Sequence, residues 1–441
     1  MSSANNETRA EDRKYATTES RVMKARSRAV ASRRLLGTHF LDGAAELPLS
    51  GRQADLELRL DGAAHGLIDT THFDVTRFPP PDWALPAFVS AAESGAAAYT
   101  AYRGGPDVRS RCADAISALL AVDVDPERNL ILTTGTQGGL FAVLSALVDA
   151  GDRVALTDPE YLFAERILRF LDAEVVRIPL NDGADPGVDL QRLEDAAIGG
   201  IRLFLTSNPN NPTGTVYSSE TVKGIARLAA THDFLVVVDE LYCRLVYDGT
   251  PFTHLAGEPE MNGRTVTLLG GSKTESLTGY RVGAVVADPE IIDAVEQVMA
   301  FSALRAPAYS QHVLTGWLRE DDDFVAERVR QLRVLQQHAT ERLRSVPGMS
   351  VDPGAGTAYL WPDVSGLGLT SLDAGRLFYD AGVVVSPGYQ FGPAGKTRFR
   401  MCFAQGEDRL DAALDRITAA LTGTTDRASH EEAADGGRDA Q

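Results

Sequence analysis

The chain reads GGSKTESLTGYR at positions 270–281. Lys273 stands in a turn of small residues directly after a short apolar run, and Arg281 follows it by eight positions. A lysine must lose its proton before it can act as a nucleophile, so a site that uses one holds it on a rigid turn, beside groups that favour the neutral amine. The stretch therefore predicts a lysine presented for covalent chemistry, although glycine-flanked lysines in ordinary loops share these features.

Other stretches carry polar residues that could share a site with this lysine. SNPNNPTG at 207–214 follows an apolar run, and the apolar residues 234–238 lead straight into Asp239. RFRMCFA at 398–404 is typical of a strand with arginine on one face. TGTQGG at 134–139 lies between a predicted strand and a predicted helix. The free N–H groups of a helix's first turn make that point a candidate anion site.

Short apolar strands alternate with amphipathic helical stretches through the middle of the chain. This alternation is typical of a mostly parallel sheet covered by helices on both faces. A long charged helix from about 323 to 346, followed by strands and turns, predicts a smaller carboxy-terminal domain. The predicted strands are 130–134, 153–157, 202–206, 235–239, 265–269 and 281–286, and the predicted helices are 137–148, 162–171, 219–231 and 291–301.

In this order the motifs resemble the class I/II aminotransferases, the pyridoxal-phosphate enzymes of fold type I. The resemblance extends from about 66 to 421 and depends on the joint occurrence of the motifs. It implies an α/β fold, with a mostly parallel sheet of the seven-stranded type, helices on both faces and a smaller α+β domain. The expected segments are a polar N-terminal arm (1–55), the N-terminal part of the small domain (56–98), the large cofactor-binding domain (99–322), the C-terminal small domain (323–421) and a disordered tail (422–441).

The resemblance assigns roles to the residues around the cofactor ring. Lys273 matches the lysine that forms the Schiff base with pyridoxal 5'-phosphate. Asp239 matches the carboxylate that pairs with the pyridinium nitrogen, and such a partner offsets the cost of burying a carboxylate at a strand end. Asn211 and Tyr242 match the residues that hydrogen-bond the cofactor's phenolic oxygen, and Tyr161 matches the aromatic residue that stacks on the ring.

A second set of residues is expected at the cofactor phosphate. Gly135, Thr136 and Gln137 begin the helix after the first predicted strand, and Ser272 precedes the lysine. Arg281 matches by position the family's arginine eight residues after the lysine, which would add a charge-assisted contact to the phosphate.

Two further matches concern the substrate and a second subunit. Arg400 matches the arginine whose planar guanidinium grips the substrate's α-carboxylate. Arg398 alternates to the same face and leaves that assignment open. Tyr99 matches the tyrosine that crosses to the neighbouring subunit's phosphate, which implies a homodimer with shared active sites.

The pattern departs from the family at three places. Gly270 stands where relatives have a phosphate-contacting serine, whose part a nearby hydroxyl could take. His72 and Phe73 replace a glycine-containing turn over the substrate, so His72 is a candidate substrate contact or extra acid or base, or simply a packed or solvent-facing histidine. Arg305 lies near the region where some relatives bind a substrate side-chain carboxylate.

Composition limits the partners and the compartment. A net charge of −18 on 441 residues disfavours nucleic acid and anionic membrane surfaces and favours a small-molecule partner. The three cysteines lack paired spacing, so neither a disulfide framework nor a metal site is expected. The absence of a long apolar run and the polar amino terminus, whose residues 19–36 are expected to be partly helical, predict a cytoplasmic protein.

The sequence therefore predicts an aminotransferase that acts on an amino acid and 2-oxo acid pair. An alternative on the same fold is β- or γ-elimination or replacement, cyclisation or oxidation of an amino acid or S-adenosylmethionine. A transcription factor that uses the fold as a sensor is disfavoured, because the leader is too short and too polar for a helix-turn-helix domain.

Overall fold

A computed structural model describes residues 32–38, 66–95, 99–181, 186–319 and 321–435. Most of the expected N-terminal arm, and with it most of the predicted helix 19–36, lies outside these ranges. Within them, Arg33–Leu36 forms the short helix α1.

The central sheet has eight strands and is mostly parallel. Its strands are β2 (Leu130–Thr133), β3 (Arg153–Asp158), β4 (Glu174–Asn181), β5 (Gly187–Val188), β6 (Leu203–Ser207), β7 (Leu235–Asp239), β8 (Thr265–Leu269) and β9 (Gly283–Val286). Their spatial order is β2-β9-β8-β7-β6-β3-β4-β5, in which β9 is antiparallel to both neighbours and β5 is antiparallel to β4.

The predicted strands agree with the observed ones except at the ends and edge of the sheet. The sequence prediction missed β4, which carries charged residues and a proline and lies next to the edge strand. Strand β9 begins at Gly283 instead of 281, because Arg281 has a left-handed backbone (φ 54°) after the 3₁₀ turn Leu277–Tyr280. That conformation cannot continue a strand.

Helices cover both faces of the sheet because its strands are apolar on both sides. In β7, Val236 and Val238 pack with the helix Ser219–His232, whereas Val237 packs on the opposite face with the helices Gly135–Leu147 and Pro289–Phe301. The helices between residues 84 and 311 are α2 (Ala84–Glu93), α3 (Pro106–Leu120), α4 (Gly135–Leu147), α5 (Ala164–Phe170), α6 (Leu190–Ile198), α7 (Ser219–His232), α8 (Pro289–Phe301) and α9 (Ala308–Gln311).

A smaller group of elements has a core of its own. Ile68 and Phe78, from the first part of the chain, pack there with Leu332, Phe378 and Leu414. Its helices are α10 (Asp322–Arg344), α11 (Ser371–Asp380) and α12 (Glu407–Asp435), and its strands are β1 (Ile68–Asp69), β10 (Tyr359–Leu360), β11 (Val383–Val384), β12 (Ser386–Pro387) and β13 (Phe399–Cys402).

Helix α12 continues to Asp435, into the segment 422–441 for which the sequence predicts disorder. Alanine, glutamate and arginine favour helix locally even where large apolar residues are absent. Residues 436–441 lie outside the described ranges.

Candidate active site

A cavity of about 520 Å³ lies where strands β6, β7 and β8 end, between the central sheet and the smaller group of elements. Polar loops at the carboxyl ends of parallel strands are the usual binding position in such folds. The predicted site residues that line this cavity are His72, Thr136, Gln137, Tyr161, Asn211, Asp239, Tyr242, Ser272, Lys273, Arg281 and Arg400. The volume is within the range of small-molecule sites.

Lys273 and Asp239 project into the same cavity from two adjacent strand ends. Lys273 is half-buried, and its Nζ atom lies 5.8 Å from the centre of the Phe73 ring. Burial raises the pKa of Asp239 to about 6, while the backbone N–H of Leu241 and the charge of Lys273 act in the opposite direction. A cation bound beside Asp239 would favour its ionised form.

The first turn of α4 has the properties of a phosphate site. No side chain caps the helix, and the hydroxyls of Thr134 and Thr136, which can donate, are buried without hydrogen-bond partners among the described residues. Gly135 has a left-handed backbone (φ 68°), and a Cβ atom there would collide with the guanidinium of Arg281. Only glycine lets the backbone approach Arg281 this closely. Unsatisfied donors beside a cation suit a phosphate group.

The departure at Gly270 has a structural explanation. A Cβ atom at that position would lie 3.1 Å from the hydroxyl oxygen of Thr136. Thr136 thus occupies the space next to residue 270, and its hydroxyl has no hydrogen-bond partner among the described residues.

Tyr242 and Asn211 are tied to the residues around them. Burial raises the pKa of Tyr242, so its hydroxyl stays protonated, and it donates to the Tyr359 hydroxyl at 3.1 Å. The Oδ1 atom of Asn211 accepts from Nη1 of Arg400 at 2.9 Å. Tyr161 lines the cavity, with its ring edge-on to Phe163 at 5.5 Å.

Arg400 is a buried cation in an aromatic and polar enclosure. Its side chain is 4% exposed and packs 4.1 Å from the Tyr359 ring centre and 4.9 Å from that of Phe391. Its Nη2 atom donates to the Thr71 carbonyl at 3.2 Å and to the Ser386 hydroxyl at 3.3 Å. In the described part of the chain no carboxylate pairs with it, and its Nε is buried without a partner.

Arg398 lies elsewhere and has a carboxylate partner. It pairs with Asp363 at 3.3 Å and donates to the Trp361 carbonyl at 3.2 Å. The structure therefore brings Arg400, but not Arg398, into the cavity.

His72 lies at the cavity wall but is exposed. Its Nδ1 atom hydrogen-bonds the Thr71 hydroxyl, which also donates to Asp69, and its carbonyl accepts from the Gln405 amide at 2.8 Å. Since the single proton of that hydroxyl goes to Asp69, Nδ1 of His72 is the donor to Thr71.

Tyr99 and Arg305 lie together, away from the cavity residues. Tyr99 is 73% exposed, and the guanidinium of Arg305 packs 4.9 Å from its ring centre and 5.0 Å from that of Tyr102. Arg305 also donates to the Thr100 carbonyl. Arg305 thus supports the segment that bears Tyr99 and is not among the residues lining this cavity.

Several cavity residues carried no signal that sequence reasoning could use. Tyr359 reads as a core aromatic residue, and Ser386 and Thr71 belong to no motif. Only the folded arrangement shows that all three contact Arg400. The remaining residues of this kind are Leu140, Leu162, Phe163 and Leu241, whereas Thr278 and Gly279 lie in the stretch 270–281 without having been assigned a role.

A protein-family model described as aminotransferase class I and II matches residues 71–417. The chain is a class I/II aminotransferase. It depends on pyridoxal phosphate, as members of this family do, and it exchanges an amino group between an amino acid and a 2-oxo acid. The unsatisfied polar atoms beside Gly135 and the carboxylate of Asp239 in one cavity fit the cofactor's phosphate and ring nitrogen.

Relatives agree over most of the length of this aminotransferase. A putative aminotransferase of Bacillus subtilis is 30% identical over 342 residues, which are 77% of this chain and 88% of that protein. An aspartate aminotransferase of Musicola paradisiaca is 28% identical over 78% of this chain and 87% of its own. None of these relatives is named for elimination, cyclisation or oxidation.

Solved structures give the same result. The structure of an aspartate aminotransferase from Rhodobacter sphaeroides has 36% sequence identity and a TM-score of 0.79, covering 84% of this chain and 96% of that one. That of Thermus thermophilus aspartate aminotransferase with maleate has 27% identity and a TM-score of 0.77, covering 88% of this chain and 99% of that one.

In the described part of the aminotransferase, no helix has the length and apolar character needed to cross a bilayer.

Proposed function

We propose that Lys273 is the amine that this aminotransferase bonds to its cofactor and that moves the substrate's α-proton. When bound, pyridoxal phosphate supplies an aldehyde for that bond and an electron-poor ring that stabilises negative charge at the α-carbon. The half-buried position of Lys273 in a cavity shared with Asp239 supports this role. Asp239, at the adjacent strand end, would hold a proton on the ring nitrogen.

The other residues would orient the bound groups. The first turn of α4 (Gly135, Thr136 and Gln137), with Ser272 and Arg281, would hold the phosphate. Tyr161 would cover one face of the ring. Asn211 and Tyr242 would hydrogen-bond its oxygen. Tyr242 can donate there if its proton turns away from Tyr359, whose own hydroxyl can then donate to Tyr242.

The single observation that carries the substrate assignment is the buried charge of Arg400. An unpaired cation away from water is costly, and a bound anion removes that cost. Its position between Tyr359 and Phe391 leaves the guanidinium rigid. A carboxylate can form two parallel hydrogen bonds with it by replacing a long bond from Nη2 to Thr71 or Ser386. We assign it the α-carboxylate shared by the amino acid and the 2-oxo acid, with His72 at the wall beside it as a further substrate contact.

Replacing Arg400 with lysine should lower kcat/KM roughly 10²- to 10³-fold for both the amino acid and the 2-oxo acid, because lysine keeps the charge but loses the planar two-point contact. Most of the loss should be in KM. Initial rates with varied concentrations of each substrate would measure it. Arg398→Lys is the matched control and should change kcat/KM little; a larger effect there than at Arg400 would refute the assignment.

We also propose a homodimer in which Tyr99 completes the partner's phosphate site. Tyr99 is exposed and does not line the cavity of its own chain. It packs with Tyr102 on Arg305, which follows the exposed apolar side chains of Phe301 and Leu304 in the sequence. Exposed apolar groups of this kind mark contact surfaces.

The three cysteines are unpaired, which supports a reducing, cytoplasmic location.

Mixing two inactive variants tests the shared site. Dimers of Tyr99→Ala and dimers of Lys273→Ala are each expected to be poorly active. After subunit exchange, a mixed dimer contains one site with both Lys273 and Tyr99, so activity should return to about a quarter of the parental level, since about half of the dimers are mixed. Failure of activity to return, with exchange verified by native mass spectrometry, would show that each site belongs to one chain.

A further inference from the structure

A buried ion pair lies directly behind the turn that carries Lys273. Glu275, two residues after the lysine, is 0% exposed. Nη1 of Arg244 donates to its Oε1 atom at 2.6 Å, and Nη2 of the same arginine donates to Asp321 at 2.8 Å and to Asp322 at 2.9 Å. Arg244 therefore joins three carboxylates from two segments of the chain.

This pair connects two turns that would both contact the cofactor. Strands β7 and β8 pair up to Asp239 and Leu268, and beyond that point their chains separate. Arg244 is two residues after Tyr242 on the first turn, and Glu275 is two residues after Lys273 on the second. The ion pair joins the two turns again past the end of the strands.

Helix α10 holds the same turn from another side. Nη1 of Arg328 donates to the Thr274 carbonyl at 3.3 Å and to the Ser276 hydroxyl at 2.8 Å, so it binds on both sides of Glu275. Ser276 has a left-handed backbone (φ 57°), which is unfavourable for serine without such support. Farther along α10, Leu332 and Leu335 belong to the same core as Met401, next to Arg400.

We propose that Glu275 and Arg244 are positioning residues, which fix the turn of Lys273 relative to the turn of Tyr242 and so aim the lysine amine at the reacting carbon. This inference rests on the proposed role of Lys273. Asp321 extends the connection to α10. The bond from Arg244 needs an acceptor oxygen at this position, and an uncharged amide of the same shape supplies one. Burial raises the pKa of Glu275, and the charge of Arg244 lowers it.

Two substitutions at Glu275 distinguish the positioning of Lys273 from the effect of the charge on Glu275. Glu275→Ala should lower kcat roughly 30-fold with KM for the amino acid within about twofold, since small misplacements of a reacting group cost rate rather than binding. Glu275→Gln keeps an oxygen for Arg244 and should return kcat to within about threefold of the parent. The pH dependence of the visible absorbance of the cofactor-loaded protein should shift in the alanine variant and return in the glutamine variant.

A merely structural role predicts a different result. If Glu275→Ala lowers the melting temperature but leaves kcat and the absorbance profile unchanged well below that temperature, the proposal is wrong. Should the alanine variant not fold, Arg244→Lys keeps the charge but loses the planar guanidinium that spans Glu275 and the two aspartates, and it should lower kcat about tenfold with KM unchanged; parental kcat there would equally overturn the proposal.

The matched control is Arg264→Met, which breaks the ion pair with Asp233 at the surface of the same domain and should leave kcat unchanged. Failure of the proposal can be told from failure of the proposed function, because full activity in Lys273→Ala would refute the function, whereas the Glu275 variants test only the positioning of that lysine.

Discussion

Replacing Lys273 with alanine is expected to lower kcat roughly 10⁴-fold or more, because the variant lacks both the amine that bonds the cofactor and the group that moves the α-proton. Initial rates with an amino acid and an acceptor 2-oxo acid would measure the loss. Borohydride reduction of the cofactor-loaded parent, followed by peptide mass spectrometry, should place the cofactor on the peptide that contains Lys273.

Lys223 provides the control for this substitution. It lies exposed on α7, where it pairs with Glu220 at 3.4 Å, and Lys223→Ala should keep parental kcat. More than about one per cent of parental kcat in Lys273→Ala would contradict the proposed role, because either function of the amine alone accounts for a larger factor.

Changing Asp239 to asparagine should lower kcat roughly 10²- to 10³-fold while the cofactor still binds through its phosphate. An amide cannot hold the ring nitrogen protonated, and loss of one preorganised charge beside a reacting group costs this much. Single-turnover rates with the loaded variant would measure the effect separately from cofactor affinity. Asp233→Asn, an exposed aspartate six residues earlier, serves as the control.

The pKa of Asp239 also predicts the direction in which cofactor affinity changes with pH. Burial raises that pKa to about 6, so in the cofactor-free protein the carboxylate takes up a proton as the pH falls below 6. Binding of a protonated ring then requires that proton to leave, and cofactor affinity should decrease towards pH 5 in the parent. The decrease should be absent in Asp239→Asn; an identical pH profile in both proteins would argue against the pairing.

The sequence was sufficient for the parts of the site that lie next to strand ends. Asp239 and Lys273 each follow an apolar run that is long enough to read as a buried strand, and parallel strands bring such ends together at one edge of the sheet. The observed bounds of β7 and β8 agree with the predicted 235–239 and 265–269. For this reason the sequence could predict that Asp239 and Lys273 lie in one cavity.

Residues that depend on packing between distant segments could not be found in this way. The contact of Tyr359 with Arg400 spans 41 positions, and that of Thr71 spans 329. The choice between Arg398 and Arg400 also needed the structure, because alternation along a strand predicts both side chains on one face. In the structure Arg398 pairs with Asp363, whereas Arg400 lines the cavity. The sequence prediction missed strand β4 because polar residues and a proline at its exposed positions interrupt the apolar run.

The contact between Gly270 and Thr136 implies that these two positions are not independent in the course of evolution. A serine in place of Gly270 would bring its Cβ atom within 3.1 Å of the hydroxyl oxygen of Thr136, so the threonine side chain would have to shift by a few tenths of an ångström to admit it. Homologous sequences should therefore show coupled choices at the two positions, with the side chain at one adjusting to the side chain at the other.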